Sequence, residues 1–282
     1  MSASPDLFSW LFSEPRHIVQ ALFVVAVLVF CLVKFIRWRR RRAAVEWYMP
    51  EEISSFSDAA EKALGPSSNI FVEKESPDIR VDILMIPPRE HCPFYSLCTM
   101  GVGAHRMTVP PTDGMELQTD DGRVDLHPLV FPGWDRVELM MYLPADWVPL
   151  WMEEGATEEE IERSYWPILW MKNFARGMVA MDWWYAFGQT VNPQEKLGDF
   201  SAFALASPLP DCTKPGFTLT VGDKNVSVLQ LVPITESEYQ SALKGNINTW
   251  VKEFLPGTPE GMREFLAERV QRMGVVPRKP KS

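Results

Sequence analysis

Residues 135–147 carry the pattern that most restricts what this chain can fold into. Apolar side chains recur at every second position, at Val137, Leu139, Met141 and Leu143. Glu138 and Met140 fall between them, so a strand built from this segment has one wholly apolar face and one mixed face. Pro144 and Asp146 then stop the strand. A strand of this kind needs a covering layer on its apolar face.

The covering layer is predicted at Tyr165–Arg176, which follows an acidic loop. Pro167 suits the first turn of a helix, where a backbone N–H is not needed. One helical face is formed by residues spaced three and four apart, Ile168, Met171 and Ala175, and is widened by Leu169, Trp170 and Phe174. We expect this helix to pack on strand 137–143 and the pair to form the centre of the core.

A second apolar run, Ile18–Ile36, is 19 residues long, and as a helix it would span about 28 Å, close to the hydrocarbon thickness of a bilayer. Positive charges follow its wholly apolar part, Ala21–Val33, at Lys34, Arg37 and Arg39–Arg42, whereas only Arg16 precedes the run. A signal peptide has the opposite order, so residues 18–36 are predicted to be a retained transmembrane helix. A buried soluble helix is the alternative, but the run has no polar face.

This span divides the chain into five predicted segments. A short N-terminal segment, 1–17, precedes the helix 18–36, and a basic juxtamembrane linker, 37–50, follows it. Residues 51–273 form the soluble domain, and 274–282 form a basic tail. The positive-inside rule places everything after the helix in the cytoplasm, so the predicted location is the inner, cytoplasmic membrane with a single pass.

The charge of the chain is unevenly distributed. Residues 43–282 contain 21 basic and 35 acidic side chains, a net charge of −14. That balance argues against nucleic-acid binding, which requires cations to replace phosphate counterions. It is compatible with a basic protein partner, and ordinary solubility is the simpler alternative.

The soluble part interleaves helices and strands without a regular βαβ rhythm. Helices are predicted at 51–64, 235–243, 247–255 and 259–273, besides 165–176. Strands are predicted at 69–75, 79–86, 94–102, 182–190, 203–207 and 226–232, the last ending at Pro233, besides 137–143. Thr235 and Glu238 have the spacing of a capping box at the start of one helix. The fold class predicted is α+β, a mixed sheet covered by helices and preceded by one transmembrane helix.

Four stretches together resemble the suppressor of fused (SUFU) domain family: Pro93–Gly101, Arg136–Trp147, Trp166–Arg176 and Val228–Glu238. The resemblance covers roughly residues 70–255. It implies binding to protein and not catalysis. In animals the similar domain belongs to a repressor that binds Gli-type zinc-finger transcription factors, and bacterial relatives are regarded as immunity proteins against toxins or as domains of unassigned role. The chain differs from the family by its N-terminal apolar run and lacks the second domain of the animal protein.

No catalytic, cofactor-binding or metal-binding motif is present. Cys92 and Cys98 are six residues apart, whereas zinc sites favour ligands separated by two to four, so buried thiols are the better interpretation. Gly101-Val-Gly103 lacks the later glycine and lysine of a phosphate loop and is interpreted as a turn. Asp120-Asp121 precedes Gly122 and is also a turn signal, with a divalent cation site as the alternative.

Glu138 is the most informative single residue, because burying a lone carboxylate costs several kcal/mol unless it is paired or protonated. Arg89, Arg106 or Arg176 could pair with it. Two alternatives are open: a carboxylate on the exposed or edge-facing side of the strand, and a partner-facing carboxylate in a groove between sheet and helix.

Tryptophan and tyrosine are common interface anchors, so Tyr142, Trp147, Trp183 and Trp184 join Glu138 as candidate partner contacts. Adjacent Trp183 and Trp184 in a strand would point to opposite faces. A second layer of helices covering that face is the alternative.

The sequence therefore favours a membrane-anchored, cytoplasmic protein-binding module without a cofactor, and an immunity protein neutralising a toxin fits this description. Its partner is predicted to be a protein, such as a basic toxin, that binds the mixed face of a strand or a free sheet edge. A second hypothesis is an enzyme with an unrecognised site built from Glu138, His105 and Asp125. A third is a structural role in membrane assembly in which the span is the active part.

Overall fold

The computed structural model describes residues 19, 22–34, 46–74, 76, 79–109, 116–119, 122–125, 134–147, 155–181, 183–193, 198–209, 216–244 and 253–273. The chain divides into two compact units, Met1–Val45 and Glu46–Ser282. The predicted segments 1–17 and 274–282, and most of the predicted helix 247–255, lie outside the described residues.

In the first unit, residues 19 and 22–34 are helical, and their apolar side chains are exposed. The predicted transmembrane segment 18–36 is thus described only in part. Within the described ranges, no helix combines the length and the apolar character needed to cross a membrane.

The second unit is an α+β domain built on a mixed sheet, as predicted. Its strands are β1 Asn69–Phe71, β2 Asp82–Ile86, β3 Tyr95–Met100, β4 Glu116–Thr119, β5 Gly122–Asp125, β6 Val137–Leu143, β7 Thr190–Val191, β8 Phe200–Ala206, β9 Thr218–Val221 and β10 Lys224–Thr235. Its helices are α1 Pro50–Leu64, α2 Glu158–Ala180, α3 Glu236–Lys244 and α4 Pro259–Arg272, with a 3-10 turn at Val102–Ala104. Strands β4 and β5 form a separate two-stranded sheet.

The main sheet has the order β1-β2-β3-β6-β10-β8-β7, with β9 paired to the first part of β10. Among the strand pairs of the described residues, only β6 and β10 run parallel, with Ser227 opposite Val137 and Leu231 opposite Met141. Every residue of β6 is buried. The predicted alternation of Val137–Leu143 is therefore confirmed as a strand, and both of its faces are covered.

Helices cover the two faces of this sheet. Trp170 and Phe174 of α2 contact Phe203 of β8, with ring centroids 5.7 and 5.8 Å apart. The register places Phe203 on the same face as Met141, so α2 covers the apolar face of β6, as predicted. On the other face, the Phe94 ring lies 5.4 Å from the Tyr142 ring, and α4 packs nearby.

Helix α2 begins earlier than predicted. Its N-cap is Thr157, which forms a capping box with Glu160, so the acidic residues 158–160 make its first turn instead of a loop. Pro167 consequently lies inside the helix and not in its first turn. The sequence rule for proline favoured the later start, but three carboxylates beside the positive end of the helix dipole and a reciprocal cap stabilise the earlier one.

Strand β10 continues past Pro233, where the sequence analysis ended it. The N–H of Leu205 donates to the carbonyl oxygen of Gln189, the residue before β7, so Leu205 and its partner Leu231 do not bond to each other. By alternation, the ring nitrogen and carbonyl of Pro233 also face away from β8, towards the side of β6. The parallel ladder has already ended at Leu231, so the missing N–H of Pro233 costs no sheet hydrogen bond.

The Pro233 carbonyl, left free by the sheet, ties α4 to the strand. Arg269 of α4 donates to this oxygen at 2.7 Å and to both carboxylate oxygens of Glu238 in α3, at 3.0 and 2.5 Å. Glu238 also completes the predicted capping box by accepting from the N–H of Thr235 at 2.7 Å. One guanidinium therefore joins β10, α3 and α4.

Candidate functional site

Glu138 lies in the central strand, and none of its surface is exposed. Its Oε2 accepts from the Thr99 hydroxyl at 2.6 Å, and its Oε1 accepts from the N–H groups of Gly101 and Gly103 at 2.9 and 2.8 Å. Burial raises the pKa of Glu138 to about 7, although these hydrogen bonds act to lower it. The carboxyl group therefore protonates more readily than an exposed one, and both of its oxygens accept hydrogen bonds from the protein.

None of the three arginines proposed from the sequence pairs with Glu138. Arg176 binds Glu73, and Arg106 binds Asp135 at 2.5 Å. The guanidinium of Arg89 lies beside Gly65. The sequence analysis placed Glu138 at an exposed edge or in a partner-facing groove, and both placements are wrong because the residue is fully buried. Burial is possible because the turn after β3 supplies two backbone donors to the carboxyl group.

That turn requires its glycines. Gly101 has a φ of 121°, in the region that favours glycine, and a Cβ there would lie 2.5 Å from the carbonyl oxygen of Arg80. A Cβ on Gly103 would lie 2.4 Å from Val226 and 3.2 Å from Oε1 of Glu138. Small residues at both positions let the backbone approach the carboxyl group closely enough to donate to it.

The segment that leads into α1 is fastened to the same turn. Arg136 donates to Oε2 of Glu46 at 2.8 Å and to the carbonyl oxygen of Ala104. The hydroxyl of Tyr48 is buried beside Glu138, and burial together with the nearby carboxylate raises its pKa. Residues 46–48 are thus held by the turn that also holds Glu138.

Two further predicted partner contacts are also buried. Tyr142 is 3 % exposed, and its hydroxyl accepts from the N–H of Leu209 at 3.1 Å. Trp147 is 2 % exposed and packs edge-on against Tyr95 at 5.1 Å. A partner cannot reach Glu138, Tyr142 or Trp147 unless the sheet opens, so their position corrects a direct contact role.

Trp183 and Trp184 are placed differently from the prediction. Among the described residues of the predicted strand 182–190, only Thr190 lies in a strand, so the two tryptophans do not alternate across a sheet. Trp183 is 41 % exposed and packs on Gly177, where a Cβ would lie 2.2 Å from its ring. Trp184 contacts Trp134 edge-on at 5.7 Å. A partner-contact role for these two residues stays a prediction.

The described residues form an accessible groove of about 390 Å³ at the end of β6. We call it the α4 groove. Its lining comes from the segment before β3, the segment after β6 and the last turns of α4: Pro93, Phe94, Pro144, Ala145, Asp146, Ala267, Val270 and Gln271. Its volume lies in the usual range for ligand sites, and most of its lining is apolar.

The sequence analysis missed this groove. The alternating pattern placed Pro144 and Asp146 at a strand end, and helical spacing predicted α4, but nothing local indicates that these segments meet. The same is true of a buried ion-pair cluster beneath α2. Glu73 accepts from Lys172 at 2.9 Å and from Arg176, which are 99 and 103 positions away in the chain.

The described residues contain no group of three or more His, Cys, Asp or Glu side chains that could hold a metal ion. Cys92 and Cys98 are free, buried thiols. The side chain of Asp125, one of three residues in the enzyme hypothesis, lies outside the described part of the chain. The hydrogen bonds that hold Glu138 come from Thr99, Gly101 and Gly103 and do not involve His105.

Comparison with known proteins agrees with this architecture. The family model described as Suppressor of fused protein (SUFU) matches residues 77–260. No curated protein is significantly similar in sequence. The crystal structure of the Sufu-Fu complex shares the fold, with a TM-score of 0.50 and 13% identity over 80% of this chain and 92% of that one.

Two further solved structures are similar to the chain. A putative SUFU homolog from Neisseria gonorrhoeae FA 1090 has a TM-score of 0.40 and 15% identity, over 72% of this chain and 88% of that one. Drosophila Suppressor of Fused has a TM-score of 0.43 and 12% identity, over 76% of this chain and 48% of that one.

Proposed function

Because the chain belongs to the suppressor of fused family, whose model matches more than half of its length, we propose that it is a protein-binding module and not an enzyme. The observation that carries this proposal is the α4 groove, a mostly apolar concavity walled by two prolines and a helix. The Sufu-Fu structure is of a relative in a complex, which supports the same role.

A non-catalytic role is supported by the position of Glu138. Glu138 has a raised pKa, as catalytic carboxyls often do, but it is fully buried and satisfied by protein donors. Its surface is fully covered within the described part of the chain, so a substrate outside the domain does not contact it. The lining of the α4 groove contains one ionisable side chain, Asp146, and one amide, Gln271.

The proposal includes attachment to the cytoplasmic face of the inner membrane through residues 18–36. It is supported by the apolar stretch Ala21–Val33, the cluster of arginines after it, and the exposed apolar side chains between residues 22 and 33. Such an attachment would hold the binding module where an incoming toxin emerges, so a toxin-neutralising immunity protein is the specific form of the proposed function.

The groove is tested by blocking it in the full-length protein expressed in its native cell. Gln271 is an exposed residue of α4 that lines the groove, and Gln240 is an exposed residue of α3 that does not. After cross-linking, we expect Gln271→Trp to lose the stoichiometric partner that the wild type retains, while Gln240→Trp keeps it. Equal recovery of that partner with both variants would refute a binding role for the groove.

The immunity role is tested by co-expression with the product of a neighbouring secreted-toxin gene. The wild type and Gln240→Trp should restore growth, and Gln271→Trp should not. Growth arrest that persists with the wild type rejects this form of the function while leaving protein binding in place.

A further inference from the structure

The walls of the α4 groove limit how a polypeptide can bind there. Pro93 and Pro144 form part of the wall, and neither has a backbone N–H to donate. A partner strand that pairs along this wall would find no donor at either position, which disfavours strand addition as the binding mode at this site. Binding must come from burial of apolar side chains against the accessible apolar lining, Pro93, Ala145 and Ala267, in a groove pre-shaped by rigid prolines.

The charge of the groove is also restricted. Asp146 is the charged residue of its lining; its side chain is exposed, and no described cation pairs with it. The two arginines in the last turn of α4 are already paired, Arg269 with Glu238 and Arg272 with Asp199 and Glu268. The carbonyl end of the α4 dipole adds negative potential at the same place.

From these two features we infer that the α4 groove binds a polypeptide segment that carries a large apolar side chain next to a lysine or arginine. The apolar side chain fills the groove between Pro93 and Ala267, and the cation lies on Asp146. This inference rests on the proposed function and names the chemistry of the partner that the function requires. The net charge of −14 on residues 43–282 favours the same class of partner at longer range.

The inference is tested with a phage library of random peptides selected against the full-length protein in detergent micelles. Peptides recovered on the wild type should combine an aromatic or long aliphatic residue with a neighbouring Lys or Arg. Their affinity should fall by about 2- to 5-fold on Asp146→Asn, the range measured for exposed ion pairs. Asp146→Lys should reverse the preference to acidic peptides. Asp223→Lys, at the exposed β9–β10 turn, is the matched control and should change nothing.

Groove occupancy is checked separately from charge. Gln271→Trp and Ala267→Trp should both abolish selection of these peptides, and retention of the wild-type melting temperature by at least one of them shows that folding is intact. The inference is overturned if the wild type selects no peptides, if the selected peptides lack basic residues, or if Asp146→Lys leaves the basic preference unchanged. If the native partner is lost with Gln271→Trp but retained with Asp146→Lys, the proposed function stands and the inference about charge fails.

Discussion

The carboxyl group of Glu138 is held by a threonine hydroxyl and two glycine N–H groups, without a cation. The sequence indicated that this residue was unusual, because it interrupts an apolar strand. The sequence could not indicate which groups bind the carboxyl, since every residue except proline has a backbone N–H. The two glycines were the available signal for a close approach of the backbone. The expected arginine partner was the wrong inference because neutral donors can satisfy a carboxyl that is itself close to neutral.

Glu138 should make folding stability depend on pH. Its pKa in the folded protein is about 7, above the ordinary value of 4.5, so the folded state holds this proton more tightly than the unfolded chain. The free energy of unfolding is therefore greatest below the ordinary carboxyl pKa and falls as pH rises through about 7. Glu138→Gln removes this titration while its amide keeps one acceptor for the glycines and one donor for Thr99.

The measurement is denaturant unfolding of the wild type and Glu138→Gln at pH 5 and pH 8. Between these two pH values the wild type should lose about 2–3 kcal/mol relative to the variant. All other titrating groups are common to both proteins and cancel in the comparison. Parallel pH curves would show that Glu138 does not change its proton affinity on folding.

Gly103 should not tolerate a side chain. A Cβ there would lie 2.4 Å from Val226, 2.6 Å from the Tyr48 hydroxyl and 3.2 Å from Glu138. Gly103→Ala should lower the free energy of unfolding by about 1–3 kcal/mol through overpacking. Gly257→Ala is the control, because nothing lies within 4 Å of its Cβ position, and it should stay within about 0.5 kcal/mol. Denaturant titration of both variants distinguishes these outcomes.

At the scale of elements, alternation alone predicted β6, and helical spacing alone predicted α1 and α4. Errors arose where a local rule depends on a distant neighbour. Proline is excluded from a strand only where its N–H is required, and Pro233 sits where the parallel ladder has already ended. The Trp183-Trp184 segment has strand composition but no regular secondary structure, and the Trp183 ring packs against Gly177.

Arg269 should couple three elements energetically. Arg269→Ala would leave the Glu238 carboxylate without its cation and the Pro233 oxygen without its donor. At present the pKa of Glu238 lies below its usual value, because hydrogen bonds from Arg269 and Thr235 outweigh the effect of burial, which acts to raise it. We expect a loss of about 2–4 kcal/mol on unfolding by denaturant, because breaking a mostly buried pair exceeds the loss of one hydrogen bond.

Arg263 of the same helix provides the comparison for Arg269. It pairs with the exposed Glu260 at 2.9 Å, one turn away. Arg263→Ala should therefore change the free energy of unfolding by less than about 1 kcal/mol. Equal losses in the two variants would mean that Arg269 contributes helix propensity and not a link between elements.

At the scale of the whole molecule, the proposed membrane attachment gives a direct prediction. Val25→Arg combined with Val29→Arg puts two charges in the apolar run, and each costs about 2.5–3.5 kcal/mol at the centre of a membrane helix. The wild-type chain should stay in the membrane pellet after alkaline carbonate washing, and the double variant should not. Asp58→Arg, on the exposed side of α1, should behave as the wild type does. Release of the wild type by carbonate would contradict membrane insertion.

Strand β1 is an edge strand of the main sheet, and the backbone N–H of its middle residue is not free to pair with another strand. The Ile70 N–H is already bound by the Asn69 side-chain oxygen at 2.8 Å. A strand from a second copy would have to displace that amide before it could pair there. Copies that are concentrated on a membrane are therefore protected from strand-to-strand polymerisation at this edge. Asn69→Val would remove the side-chain oxygen that blocks the Ile70 N–H and so would favour such polymerisation.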